Sequence, residues 1–337
     1  MRPGVNRASL VFAALLAVLV PLSLLAGRVW INPFDVAASG PNAAVILMEL
    51  RLPRAVLAVV IGAGLGAAGA AMQGYLRNPL ADPGLLGIAP MAALGAVASF
   101  WLGAWLPLPL QWSLPIMALA GAGLGMAGLA LIAGRGVSDG AGAAGSGLAL
   151  FTLAGLMIAS LAGALTALAI TLAPNAFALS QIVLWLNGAL TDRSWAEVWL
   201  AAPLVGLGLG VLALTGRSLD ALTLGEEAAR SLGVDPVRLL ALLVAGVGLT
   251  VGASVAVAGI IGFVGLIVPH LVRPLTDRMP SSLMLPSALA GACLVLVADS
   301  AVRVLPLVTE LRLGIALSLI GAPFFLWLLL RLRRGEV

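Results

Sequence analysis

The chain has 337 residues, of which 61% are hydrophobic and 9% charged, with a mean hydropathy of +1.13. A soluble domain carries about 25% charged residues, so this much apolar surface requires lipid as its solvent. All 18 basic residues are arginines scattered at the ends of apolar runs, so the net charge of +4 excludes a nucleic-acid patch and fits the orientation bias of membrane loops. Segments of period-two alternation are missing, which excludes an outer-membrane barrel, and 41 glycines suit helices packed on helices.

The first stretch, "MRPGVNRASLVFAALLAVLVPLSLLAG", places two arginines before an apolar run, as a secretory signal does. No A-x-A site follows, and the run is long enough to span, so it is expected to be a retained first helix. Ten spans are expected in all, at 9–27, 55–76, 88–106, 113–134, 148–172, 195–216, 238–257, 259–273, 282–302 and 312–332. The eighth is short and fed by a glycine-rich turn. The expected fold is thus all-α, one membrane domain over 1–337. With the N-terminus inside, twelve arginines fall in inside segments and six in outside ones, which predicts both termini in the cytoplasm.

Small residues recur four apart at Gly62, Gly66, Ala70 and Gly74, and again at Gly155, Ala159, Gly163 and Ala167. Such stripes let backbones approach closely; for the second, a pore-lining role is the alternative. Between the second and third spans lies "RNPLADPGLLG" (77–87). Pro79 disfavours helix at Asn78. Asp82 suits an N-cap, and Pro83 the first helical position. The stretch reads as a stop and restart at the cytoplasmic surface. Further on, "RSLDALTLGEEAARSLGVDPVR" (217–238) holds seven charges in 22 residues, against about two at the chain average, so it lies outside the bilayer. It is predicted to form two short helices broken near Gly225 and stopped at Gly233, with Leu219, Leu222, Ala229 and Leu232 as an apolar face. Cys293 lies inside an apolar run and has a packing role.

Three blocks resemble one family. They are "RLPRAVLAVVIGAGLGAAGAAMQGYLRNPLADPGLLGI", "GIIGFVGLIVPHLVR" (259–273) and "LGIALSLIGAPFFLWLLLR" (313–331). Together they are similar to the type II ABC importer permeases that carry iron chelates (haem, ferric siderophores) and cobalamin. That resemblance implies a homodimer with its pathway on the two-fold axis. It also implies two cytoplasmic ATPase subunits using ATP and Mg, and a periplasmic substrate-binding protein. The chain has no lysine and hence no G-x-x-x-x-G-K-[ST] loop, so ATP hydrolysis must belong to another chain.

The resemblance also suggests roles. The 217–238 segment would dock into the ATPase, with Glu226, Glu227 and Arg230 as polar contacts. Arg51, Arg54 and Arg303 would meet acidic residues of the binding protein; the alternative is interfacial anchoring, with Asp299 pairing to Arg303 one turn away and Glu49 and Glu310 nearby. The fifth and tenth spans would line the pathway, Phe151, Thr152, Ser160 and Thr166 being the marked residues of the fifth. Their hydroxyls can equally bond back to their own helix. The cytoplasmic gate would fall at "GAAGSGLAL" (142–150). His270, the one histidine, is structural, and without a Cys/His cluster no metal site is expected. An apolar wall without fixed charge favours haem as cargo, then ferric siderophore, then cobalamin. Two other classes fit the sequence less well. An ion-coupled transporter needs ionisable groups near the midplane, and only Asp299 lies inside an expected span. An intramembrane enzyme needs a nucleophile and base, for which Cys293 and His270 are poorly placed.

Overall fold

The computed structural model describes residues 7–27, 42–102, 109–138 and 146–333. In chain order the helices are α1 (Arg7–Leu25), α2 (Ala43–Val45), α3 (Leu52–Leu76), α4 (Ile88–Leu102), α5 (Leu110–Ser138), α6 (Ser146–Thr171), α7 (Ala176–Leu186), α8 (Trp195–Leu222), α9 (Glu226–Ser231), α10 (Pro236–Ala258), α11 (Val264–Val272), α12 (Pro280–Val304) and α13 (Leu313–Arg333). A π-helical turn, Ile46–Arg51, joins α2 to α3, and short 3-10 turns occupy Pro83–Leu86 and Arg273–Leu275. Among the described residues no strand occurs. Among these same residues, eight helical stretches are long and apolar enough to cross a membrane, and three apolar helices are shorter, Ile88–Leu102, Ala176–Leu186 and Val264–Leu275.

The centre is the antiparallel pair α3 and α12, and glycine sets their distance. A Cβ at Gly62 would meet the Gly291 carbonyl, one at Gly66 the Ser287 carbonyl, and one at Gly74 would lie 2.9 Å from Pro280 Cβ. On another side of α3, a Cβ at Gly69 would run into the Gly265 backbone of α11. The first small-residue stripe is therefore a packing seam, where backbone rests on backbone. The second stripe divides. Gly155 abuts Leu86, while around Gly163 a Cβ would meet nothing within 4 Å.

Side-chain contacts fix the two faces. Arg54 of α3 meets Asp299 of α12 at one end of the pair, and Gly74 meets Pro280 at the other. At that second end Asp220 of α8 accepts from the Ser281 N–H at 2.9 Å and from its hydroxyl at 2.5 Å. The first end is the Arg54 face and the second the α9 face.

Four expectations need correction. The second span begins at Ala43, not 55. Helix continues through Arg51 and Arg54 because both guanidiniums have partners inside the protein. The predicted first short helix of 217–238 is the end of α8, which runs unbroken to Leu222. The eighth span is helical only from Val264: Gly259 (φ +73°) and Phe263 (φ +67°) hold 259–263 out of helix. Finally, α7 was not expected at all. Asn175 caps it by accepting from the Ala178 N–H at 2.8 Å. Its far end is tied to the core by Ala189 N–H to the Ala258 carbonyl (2.8 Å) and Gly314 N–H to the Gly188 carbonyl (3.1 Å).

Candidate functional site

At the Arg54 face the structure brings the three predicted arginines close to one another, but buries them. Arg51, Arg54 and Arg303 are 7%, 9% and 8% exposed, so little of each cation faces outward. Arg54 Nε donates to both Asp299 carboxylate oxygens, at 2.9 and 3.0 Å, and its fork also binds Glu310. Arg303 lies one helical turn beyond Asp299 and pairs with it at 3.2 Å, as the sequence spacing predicts. It also donates to the Ser23 and Ser300 hydroxyls, both at 3.1 Å. Arg51 donates to the carbonyls of Leu24 (2.7 Å) and Leu25 (3.0 Å), at the C-terminal end of α1. Charges removed from water are tolerable only when paired and fully hydrogen-bonded. The cluster thus clamps α1, α3, α12 and the 305–312 segment together. Glu310, on that segment, is the partly exposed member, with 24% of its side chain accessible.

At the α9 face, the 217–238 segment has the predicted break and stop. Gly225 has φ +104° and Gly233 φ +87°, a region that favours glycine. Asp235 caps α10 by accepting from the Val237 and Arg238 N–H groups. The expected apolar face is split. Leu219, Leu222 and Ala229 point into the protein, whereas Leu232 is 65% exposed beside Leu224 at 69%. Glu227 and Arg230 are exposed. Glu226 instead reaches back to Arg77, 3.8 Å away at the end of α3.

The stretch 77–87 joins these parts. Arg77 ends α3 in the left-handed region (φ 49°), and the Asn78 side chain accepts from the Leu80 N–H at 2.9 Å. Asp82 accepts from the Gly84 N–H at 2.6 Å, as a cap would. Pro83 packs on Gly265 of α11. Asp82 lies between two cavities, of about 290 and 110 Å³, the first walled by α6 and the second by 251–265. Burial pushes its carboxyl up from the ordinary value, opposed by the Gly84 hydrogen bond. The stretch thus starts at the surface, where Arg77 and Asn78 are exposed, and its later part packs against α6 and α11.

Along α6, the four marked residues differ. Phe151 is fully buried and packs edge-on against Tyr75 of α3, with ring centroids 5.3 Å apart, so it does not line open space within the chain. Thr152 is exposed but its hydroxyl bonds back to the Leu148 carbonyl at 2.9 Å. Ser160 is exposed, on a face with Met157 (71% exposed) and Leu161 (60%), whereas Thr166 is half-buried and lies on another side of the helix. Residues 142–145 of the expected gate lie outside the described residues. His270 stands edge-on to Phe324 of α13, with centroids 6.1 Å apart. Cys293 is buried against α1. Sequence reasoning missed the Arg54–Glu310 pair and the Tyr75–Phe151 stack. It also missed the Gln73 side chain, which accepts from Arg273 at 2.8 Å and links α3 to the end of α11. Partners separated by 76 to 256 residues leave no local signal in a single sequence.

With this geometry, the comparisons are consistent. The FecCD transport family matches residues 15–331. The chain is 40% identical over 302 residues to the ABC transporter permease protein YvrB of Bacillus subtilis (strain 168), covering 89% of this chain and 83% of that one. It is 37% identical over 328 residues to the vitamin B12 import system permease protein BtuC of Escherichia coli O9:H4 (strain HS), covering 96% and 95%. Among solved structures, an inward-facing conformation of a transporter assigned to the metal-chelate ABC type superposes with a TM-score of 0.83 at 29% identity, over 96% of this chain and 98% of that one. The buried α3–α12 core, the multi-pass apolar helices and these matches lead to one statement: the chain is an integral membrane permease belonging to the FecCD transport family.

Proposed function

We propose that this chain is the membrane-spanning subunit of an ATP-driven importer, working as a homodimer with both termini in the cytoplasm. Two ATPase subunits dock on α9 and its flanks at the α9 face. A substrate-binding protein docks at the Arg54 face. The cargo is a metal chelate that passes along the exposed, uncharged face of α6. The observation that carries this reading is α9 itself: a charged surface helix with protruding Leu224 and Leu232, bracketed by two left-handed glycines, at one end of an otherwise apolar bundle. Such a helix offers apolar knobs and charged residues to a cleft on a soluble partner.

Within the cargo class, the uncharged wall of α6 suits haem, while the 37% identical relative is named for vitamin B12 import, which favours cobalamin. An ion-coupled mechanism is disfavoured because Asp299, the carboxylate inside α12, is held by two arginines instead of facing a cavity. The test is uptake into proteoliposomes holding the permease, its ATPase and its binding protein, supplied in turn with cyanocobalamin, a ferric siderophore and haemin. ATP-dependent uptake of one probe is expected. Uptake driven by an ion gradient without the ATPase overturns the reading. Orientation is read separately, in a Cys293→Ser background, by cysteines at Ser194 and Ser231. The first should label from outside and the second from inside; the reverse pattern rejects the proposed topology.

A further inference from the structure

Gly225 and Gly233 bracket α9 with positive φ, and a Cβ at either would meet nothing within 4 Å. These glycines let the chain turn sharply into and out of α9. A push on α9 can also travel through its side-chain contacts. Glu226, the first residue of α9, lies 3.8 Å from the Arg77 guanidinium at the end of α3. Tyr75 stands two residues before Arg77, on the buried side of α3. Tyr75 is 6% exposed, and its ring meets fully buried Phe151 of α6 at 75° between planes. Beyond Arg77 the chain grips α6 a second time. A Cβ at Gly155 would sit 3.0 Å from Leu86 Cα, and one at Gly87 2.6 Å from Ile158 Cγ2. Close-packed contacts of this kind shift together instead of deforming.

We infer that the end of α3 and the turn after it form the mechanical link from α9 to α6, with Tyr75 and Arg77 as positioning residues that transmit ATPase-driven movement to the pathway helix through Phe151 and Leu86. The inference rests on the reading that α9 docks the ATPase and that α6 faces the dimer axis.

The test uses the permease with its ATPase subunits in nanodiscs, in a Cys293→Ser background with a spin label at Ser160, which is exposed on α6. The readout is the change in distance between the two labels of the dimer on vanadate trapping with ATP and Mg. An unchanged distance in the unmutated complex, or no ATPase capture, counts against the proposed function and not against the link. Given a change there, Tyr75→Leu and Phe151→Leu should each reduce it at least twofold. Tyr75→Leu should retain ATPase capture, and Tyr75→Phe, which keeps the ring contact, should retain the full movement. The double leucine variant should be no worse than the weaker single one, because both break the same link. Full movement in both leucine variants overturns the inference. If either fails to assemble, the exposed pair decides. Arg77→Glu should reduce the movement at least twofold and added Glu226→Arg should restore it, whereas an unreduced movement in Arg77→Glu overturns the inference.

Discussion

Arg54 and Asp299 stand 245 residues apart in the chain, yet the Arg54 Nε–H reaches both carboxylate oxygens of Asp299, whose side chain is fully buried. Breaking such a pair leaves an uncompensated charge in a low-dielectric site, which costs about 3–5 kcal/mol. Arg54→Ala is expected to lower stability by that order, measured by thermal unfolding in detergent. Asp299→Ala should do the same, since it strands Arg54 and Arg303 together. Unchanged unfolding in either variant would show that the cluster does not hold α3 to α12.

Glu310 is the member of the cluster nearest to solvent. Its exposure makes its own contribution to stability small, about 0–1 kcal/mol. Glu310→Gln should therefore unfold nearly as the parent does. It also releases one acceptor from Arg54 and makes the Arg54 face more positive. On the docking proposal, a binding protein with acidic lobes should associate faster with this variant, and more so at low salt. Equal association rates and equal salt dependence would mean that these arginines serve the chain's own fold.

The two small-residue stripes predict opposite outcomes. A Cβ at Gly62 would lie 2.7 Å from Ala292 Cα, with the Gly291 backbone closer still. Gly62→Ala must force α3 and α12 apart, at about 1–3 kcal/mol or more. Gly163→Ala meets nothing within 4 Å and should leave monomer stability unchanged. Denaturation of the two variants side by side checks this, and a Gly62→Ala protein as stable as Gly163→Ala would refute the seam.

Asp82 predicts a pH dependence. Burial raises its folded pKa above the unfolded one, so ionisation costs the folded state. Its stabilising contribution is fullest below the ordinary carboxylate value near 4 and is lost as pH rises through the raised value. Asp82→Asn keeps an acceptor for the Gly84 N–H and removes the charge. The variant should melt above the parent at pH 7–8, with the difference vanishing towards pH 4. A parent and variant that differ equally at both ends would contradict this.

Much of the helical frame was legible because lipid imposes a length on apolar runs and because glycine, proline and asparagine mark where those runs stop. Gly225, Gly233 and Asp82 do what their local chemistry predicts. The errors share one cause. The arginines at 51 and 54 read as a helix boundary because charge in a helix reads as surface. They are interior because Asp299 and Glu310 arrive from α12 and the segment after it. Leu232 read as part of an apolar face with Leu219, yet it points outward: Leu219 belongs to the end of α8, and Leu232 follows α9, beyond the turn at Gly225. Phe151 read as a pathway residue, and its partner Tyr75 comes from another helix. Each missing piece was a tertiary partner, to which periodicity is blind.

The helix α7 has a consequence of parity. Its cap at Asn175 follows the end of α6, and its exit at Gly188 is tied to the start of α13. It therefore begins and ends on one side, adding an apolar helix without adding a crossing. Counting apolar segments alone would assign one passage too many and turn the C-terminal half of the chain upside down. With Ala178 and Ile182 buried and Phe177, Val183 and Leu184 turned outward, α7 instead resembles a float at the waterline. An apolar helix that does not cross is suited to lie along a membrane interface, with its outward side chains at the headgroup boundary.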